Sequence, residues 1–69
     1  MLGHLGINVL AFMVPTRERV RTVHATALQL GSREVHAPQE WPQYPPPYFA
    51  SFWLDPCGIM LEAVCHYDR

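Results

Sequence analysis

The stretch that decides the fold is Tyr48-Phe-Ala-Ser-Phe-Trp-Leu-Asp-Pro-Cys-Gly-Ile-Met-Leu-Glu-Ala-Val-Cys-His66, in which two apolar runs flank a turn. The turn, Asp55-Pro-Cys-Gly58, contains three residue types that favour tight chain reversals. Aromatic and β-branched residues are frequent in the flanking runs, as they are in strands. The stretch therefore predicts a β-hairpin, with strands at about 48–55 and 59–66.

One charged side chain, that of Glu62, lies in the middle of the second apolar run. Burying an unpaired charge costs several kcal/mol or more, so this carboxylate must be solvated, paired, bound to a cation or protonated. A two-residue loop, with Asp55 opposite Gly58, would place Ser51 beside Glu62 on one face of the hairpin. We expect that face to form a binding wall or a subunit contact. Its other members on this register are Phe49, Trp53, Met60 and Val64.

The opposite face of the hairpin has no internal polar group and is expected to pack against a helix. That helix is predicted at about residues 16–30, because apolar residues recur there at helical spacing. Thr16 can cap its start and Gly31 can end it. The hairpin residues expected to face the helix are Phe52, Leu54, Ile59, Leu61 and Ala63.

The rest of the chain predicts two further strands and a loop. Residues 6–14 are apolar and partly β-branched and stop at Pro15, as a buried strand would. A short strand is expected at about 33–36, and residues 37–47 contain five prolines, which predict a loop over a site. The predicted order is β-α-β-β-β, in a single domain over residues 1–69.

Composition limits the partners that this chain can have. A domain of 69 residues has little core, and 49% of these residues are hydrophobic while only 16% are charged. A second protein chain is the simplest source of additional stability. The net charge is −1 and the five basic residues, all arginines, form no long run, so we expect no nucleic-acid partner.

The two cysteines are expected to be free thiols. Cys57 and Cys65 lie along one predicted strand, where their Cα atoms would stand about 26 Å apart, and a disulfide requires roughly 4.4–6.8 Å. This fits a reducing cytoplasm, although a bridge between two copies through Cys65 stays open. Residues 5–14 are apolar but lack the flanks of a leader peptide and are too short to cross a bilayer, so we expect no membrane partner.

The hairpin stretch resembles the closing hairpin of the vicinal-oxygen-chelate superfamily, the glyoxalase, bleomycin-resistance and extradiol-dioxygenase group. The shared pattern is an aromatic strand, Asp-Pro-x-Gly, and an apolar strand with a glutamate four residues after the glycine. The resemblance extends to residues 9–20 and 35–38, so it covers nearly the whole chain as one module. Glycines at positions 3 and 6 resemble the linker that enters a second module, which would make this chain similar to a C-terminal half.

The resemblance implies an α+β fold, a curved mixed sheet with one helix packed on one face. Members of the superfamily pair two modules, in one chain or by dimerisation, around a cup that holds a divalent metal. We therefore expect a homodimer or a second module as partner. The cofactor is expected to be one divalent ion (Fe, Mn, Zn, Ni or Co) or none.

Carried over residue by residue, the superfamily's metal ligands match this chain only in part. Its carboxylate ligand falls on Glu62, but its first-strand histidine or glutamine falls on Val9, which cannot bind a metal. His4 is a substitute ligand to consider, although it lies about 16 Å away on a regular strand. His66 shares the face of Glu62 but is about 13 Å along the strand, so it is expected at the surface.

Three functions follow as hypotheses. The leading one is binding of a small organic molecule in an apolar cup, with ligand contacts from Val9, Trp41, Phe49, Ser51, Trp53 and Met60. The second is a metal-dependent lyase, isomerase or dioxygenase with Glu62 as a metal ligand. The third is a structural half-domain without an active site.

Three interpretations of Glu62 stay open. It is a remnant of a metal site, a metal ligand, or a catalytic or ligand-binding acid. Two other histidines, His24 and His36, are expected to be exposed or satisfied by neighbouring groups. Cys57 has no adjacent base that would make it a nucleophile.

Overall fold

A computed structural model describes residues 2–4 and 9–69 of the chain, with side chains described from residue 9 onward. The elements in chain order are β1 (Leu2–His4), β2 (Val9–Met13), α1 (Arg17–Gln29), β3 (Arg33–Glu40), β4 (Phe49–Leu54) and β5 (Met60–Cys65). The strands form one sheet in the order β1-β2-β5-β4-β3. β2 and β5 are parallel and the other neighbouring strands are antiparallel, so the predicted α+β fold with a mixed sheet is confirmed.

The amino-terminal part of the chain adds a strand that the sequence did not predict. β1 pairs antiparallel with β2, with His4 opposite Leu10. Gly3 therefore lies inside a strand, while Gly6 lies outside the described residues. The first strand was predicted at 6–14, and in the described part it occupies Val9–Met13.

The helix has the predicted bounds and both predicted ends. The Thr16 hydroxyl accepts a hydrogen bond from the backbone N–H of Arg19 at 3.0 Å. At the other end Gly31, with φ +102°, donates to the carbonyl of Leu28 at 3.1 Å, and Ser32 donates to that of Ala27 at 3.0 Å. These two bonds form a Schellman motif, which satisfies carbonyls that the helix end leaves free.

The core lies between α1 and one face of the sheet. Val20 of α1 is fully buried against Phe49 and Trp53 of β4 and against Ala63 and Cys65 of β5. Two arginines of α1 also cover the core. The guanidinium groups of Arg17 and Arg21 lie about 5 Å from the ring centre of Phe49. Burial of these side chains makes this side of the sheet the main packed cluster of the described residues.

The hairpin turn is one residue longer than predicted. Asp55 donates its N–H to the carbonyl of Ile59 at 2.9 Å, so Asp55 lies opposite Ile59 rather than Gly58. The Asp55 carboxylate accepts from the N–H groups of Cys57 and Ile59, both at 2.9 Å. Gly58 has φ +87°, the left-handed conformation that ends a three-residue hairpin loop.

This extra residue shifts the hairpin register by one, and the predicted faces of β4 were therefore wrong. Phe52 pairs with Glu62, and Ser51 pairs with Ala63. Because opposed residues share a face, Phe52 lies on the side of Glu62. The three β4 residues that were expected beside Glu62 lie on the helix side instead, namely Phe49, Ser51 and Trp53. The faces of β5 were predicted correctly.

Gly58→Ala is expected to destabilise the fold by about 1–2 kcal/mol, because a residue with a Cβ rarely adopts positive φ. A Cβ at this position would meet no atom within 4 Å, so the cost comes from the backbone conformation alone. Urea denaturation of Gly58→Ala and of Gly58→Asn, which tolerates this conformation better, measures it. Equal loss in both variants would show that the tolerance of Asn for positive φ brings no benefit, and would contradict this cause.

β3 is longer than the predicted strand at 33–36, since it runs to Glu40 and includes Pro38. It is an edge strand in the described sheet, where a proline can be accommodated, and its register with β4 shifts twice. The proline-rich loop is thus residues 41–48, and Trp41 closes it by donating its backbone N–H to the carbonyl of Tyr48 at 2.9 Å. We call this segment the proline loop.

Two further expectations concern the thiols and the membrane. Cys57 is exposed and Cys65 is buried, and both are free, as predicted. In the described part of the chain there is no helix with the length and hydropathy needed to span a bilayer.

Candidate functional site

The face of the sheet away from α1 carries a cleft of about 380 Å³ between the strands and the proline loop. Its walls are aliphatic and aromatic, apart from one carboxylate and two tyrosine hydroxyls. Three strands and the proline loop contribute, and the lining residues are Val9 of β2, Phe52 of β4, Glu62 of β5, and Tyr44 and Tyr48 of the loop. The cleft therefore combines an apolar body with one ionisable acid.

Glu62 is fully buried, and its two carboxylate oxygens have different environments. Oε2 accepts a hydrogen bond of 2.6 Å from the hydroxyl of Tyr48. Oε1 is also buried but has no hydrogen-bond partner among the described residues. Buried polar atoms are nearly always hydrogen-bonded, so this oxygen needs an explanation.

Burial raises the pKa of the Glu62 carboxyl above its ordinary value. The Tyr48 hydrogen bond and the nearby His66 act in the opposite direction, since both favour the charged form, but burial has the larger effect. The pKa of Tyr48 is also raised, by burial first and then by its hydrogen bond to Glu62. Tyr48 therefore stays protonated at neutral pH and acts as the hydrogen-bond donor of the pair.

Tyr48 is held in place by rings and by the backbone of the proline loop. Its ring lies 4.6 Å from that of Tyr44, at an interplanar angle of 30°. The ring of His66 meets its edge at 5.1 Å. The carbonyl of Tyr48 also accepts the hydrogen bond from Trp41 that closes the loop. These contacts fix the hydroxyl that positions Glu62.

The structure brings some of the predicted site residues together and separates others. Val9 lies in the cleft with Glu62. Met60 shares the strand and the face of Glu62 but does not line the cleft. Phe49, Ser51 and Trp53 lie on the other side of the sheet, so their prediction as cleft residues is wrong.

Trp41 supports the cleft without lining it. Its indole N–H donates to the carbonyl of Ala50 at 3.0 Å, and its ring packs on that of Phe52 at 5.2 Å. His36 adds a second edge contact to Phe52 at 5.7 Å. For His4 the structure describes the strand but not the side chain, so its role as a ligand stays a prediction.

Tyr48 is a candidate site residue that sequence reasoning missed, as it missed Phe52. It was treated as the start of a strand, whereas its hydroxyl reaches Glu62 across the sheet. The signal in the sequence is the spacing of two, because Tyr48, Ala50 and Phe52 are every second residue and so point to one face of the sheet. The observed register places that face on the side of Glu62.

Two further unsatisfied groups lie on the helix side of the sheet. His24 is buried, with Nε2 2.8 Å from a carboxylate oxygen of Glu34 and with its ring edge-on to Trp53 at 5.8 Å. Its Nδ1 and the hydroxyl of Ser51 have no partner among the described residues. They lie in the core and contribute nothing to the cleft.

Ser51→Ala is expected to stabilise the fold by about 1 kcal/mol, because the buried hydroxyl has no hydrogen bond that the substitution would remove. Chemical denaturation of the variant at pH 7 measures the change. Ser51→Thr is the matched control, since it keeps the hydroxyl and adds a methyl group to a packed site. A loss of stability in Ser51→Ala would show that the hydroxyl is satisfied in solution.

The donors that the described residues place in the cleft are too few for a divalent-metal site. No group of three or more His, Cys, Asp or Glu side chains that could hold an ion occurs among the described residues. Val9 provides hydrocarbon where a ligand would be needed, and His24 lies on the opposite side of the sheet. One carboxylate and a tyrosine hydroxyl are fewer ligands than a transition-metal site uses.

Comparison with known proteins identifies the fold. No protein-family model matches the chain. No curated protein matches it either. The fold is similar to the crystal structure of a glyoxalase/bleomycin resistance protein/dioxygenase family enzyme from Burkholderia phytofirmans PsJN, with a TM-score of 0.76 and 24% identity. The match covers 94% of this chain and 50% of that chain, so this chain spans about half the length of that protein. The chain therefore has the fold of one vicinal-oxygen-chelate module.

Proposed function

We propose that this chain is a small-molecule-binding module whose ligand occupies the cleft beneath the proline loop. The observation that carries the proposal is the buried, unpartnered Oε1 of Glu62 in a cleft with otherwise apolar walls. Ligand sites in proteins are concave and mostly apolar, with a few placed polar groups, and start at about 300 Å³. A cleft of about 380 Å³ fits that description.

A second copy of the module completes the cup in this proposal. The chain spans half of a structurally similar protein, and it exposes large apolar side chains on and beside the sheet. Met13, for example, is 50% exposed on β2, the strand that pairs with the strand of Glu62. Burial of these side chains against a partner would remove them from water, which favours pairing.

Sedimentation equilibrium at micromolar concentration tests the pairing. The expected result is a homodimer, with the cleft of each copy at or near the contact. Met13→Glu is the matched variant, because a charge in an apolar contact opposes association. A stably folded monomer at this concentration would overturn the dimer.

Thermal denaturation in the presence of planar aromatic compounds tests the binding. A ligand at 100 times its Kd stabilises the folded state by about 2.7 kcal/mol. In a domain of this size, each kcal/mol raises Tm by about 4–8 °C. Phe52→Ala, which removes one wall of the cleft, is expected to abolish the shift. No shift across a broad panel would overturn the proposal and leave a structural half-domain.

Metal analysis of the purified protein separates binding from metal-dependent chemistry. The donor set predicts no stoichiometric divalent ion in the wild-type chain. A bound ion that is lost in Glu62→Ala would contradict this expectation, and would favour the lyase, isomerase or dioxygenase hypothesis with ligands from both modules.

A further inference from the structure

We propose that the ligand of the cleft is an aromatic cation, a flat apolar body carrying a protonated nitrogen group that donates a hydrogen bond to Oε1 of Glu62. This inference rests on the proposed function, because it specifies the chemistry of the molecule bound at the same site. Three properties of the cleft support it: the hydrogen-bonding character of Oε1 of Glu62, the charges that line the cleft, and its aromatic side chains.

The hydrogen bond from Tyr48 determines whether Oε1 of Glu62 acts as a donor or an acceptor. The Tyr48 hydroxyl donates to Oε2, at a distance of 2.6 Å that is typical of a strong hydrogen bond to a carboxylate. Because the proton of this bond comes from the tyrosine, Glu62 acts as the acceptor and Oε1 keeps its lone pairs. An ionised carboxylate accepts hydrogen bonds and cannot donate them. When Glu62 is ionised, the ligand group that satisfies Oε1 must therefore be a donor.

The charge of the cleft favours a cationic donor over a neutral one. No arginine or lysine is among the described residues that line the cleft. A buried carboxylate in apolar surroundings is costly, and an opposite charge at hydrogen-bond distance offsets that cost. His66 lies beside Tyr48 but is exposed, and it makes no hydrogen bond to Oε1 of Glu62.

The rings supply the second contact that a flat cation needs. Tyr44, Tyr48 and Phe52 present aromatic surface to the cleft. Aromatic faces attract cations and also stack on planar groups. An anionic ligand would meet the Glu62 charge and three electron-rich rings, which disfavours it.

Three compounds of the same shape test the inference: benzamidinium (+1), benzamide (neutral) and benzoate (−1). Isothermal titration calorimetry at pH 7.5 and low salt gives their dissociation constants for the wild-type chain. The expected order of affinity is benzamidinium, benzamide, benzoate. Benzamidinium should bind at least tenfold more tightly than benzamide, which corresponds to about 1.4 kcal/mol.

Glu62→Gln is the matched variant, because it keeps the size of the side chain and an oxygen for Tyr48 while removing the charge. Its expected affinity for benzamidinium falls to within about twofold of its affinity for benzamide. If the variant does not fold, the order of the three compounds on the wild-type chain still decides the inference.

The outcomes separate the inference from the proposed function. Binding of benzamide or of other neutral planar compounds, with equal or weaker binding of benzamidinium, would overturn the cation and leave the proposed function intact. No binding of the three compounds or of the neutral panel would overturn both. A tenfold preference for benzamidinium that Glu62→Gln removes would support both.

Discussion

Trp53→Ala is expected to lower the free energy of unfolding by about 3–5 kcal/mol, the range for removing a large aromatic side chain from a packed core. Trp53 is 4% exposed and contacts the residues that α1 and β5 contribute to the core. A domain of 69 residues has a stability of only a few kcal/mol, so the variant should be largely unfolded at 25 °C. Circular dichroism during urea denaturation measures the loss.

Phe52→Ala is the matched control for Trp53→Ala, because the two residues are neighbours on β4 and point to opposite faces. Phe52 is partly exposed in the cleft, so its removal should cost clearly less stability than the removal of Trp53. Its effect should appear instead in the loss of ligand-induced stabilisation. If Phe52→Ala were the more destabilising variant, the two-residue turn and the register that follows from it would be correct.

The stability of the wild-type chain is expected to contain a component that decreases as pH rises, and this component comes from Glu62. Burial raises the pKa of this carboxyl in the folded state above its ordinary value of 4.5. Between those two pKa values the folded chain binds more protons than the unfolded chain, so raising the pH favours unfolding. The loss begins as pH passes 4.5 and is complete above the folded-state pKa. Salt-bridged carboxylates contribute in the opposite direction.

Comparison with Glu62→Gln isolates this component, because the variant keeps the shape of the side chain and does not titrate. At pH 8 the variant is expected to be more stable than the wild-type chain by about 1–3 kcal/mol, because a buried charge costs more than a buried neutral amide. The gap should narrow as pH falls towards 4.5. The groups facing Glu62, Tyr48 and His66, are present in both proteins. A gap that is independent of pH would show that Glu62 titrates normally.

Local signals in the sequence predicted much of the fold. Thr16 and Gly31 mark the helix ends because capping depends on residues a few positions away. The faces of β5 follow from alternation within one strand, which placed Glu62 on the side away from the helix. The Asp-Pro-x-Gly hairpin and the order of elements supported the vicinal-oxygen-chelate fold, which the structural comparison confirms.

The turn length could not be read from the same residues, and this decided the site. Asp-Pro-Cys-Gly fits a two-residue loop as well as the observed three-residue loop, in which Gly58 has positive φ. A change of one residue reverses the faces of β4 relative to β5. The predicted two-residue loop therefore placed Phe49, Ser51 and Trp53 on the cleft side of the sheet and Phe52 on the helix side. Tyr48 was missed for the same reason, since only the correct register brings its hydroxyl to Glu62.

The edges of the sheet were also difficult to predict. β3 continues through Pro38, which was predicted to lie in the loop, because an edge strand needs hydrogen bonds on one side only. β1 has three residues and contains a glycine, so it carries almost no pattern of alternation. In both places the pairing with a neighbouring strand, rather than the local sequence, determines the structure.

Amide chemical-shift mapping during a titration with benzamidinium tests most directly whether the cleft of Glu62 binds ligands. The largest changes are expected around the lining residues, on β2, β4, β5 and the proline loop, and they should be much smaller in Glu62→Gln. Changes confined to α1 and the residues packed under it, or no changes at millimolar concentration with either benzamidinium or benzamide, would contradict the assignment of the site.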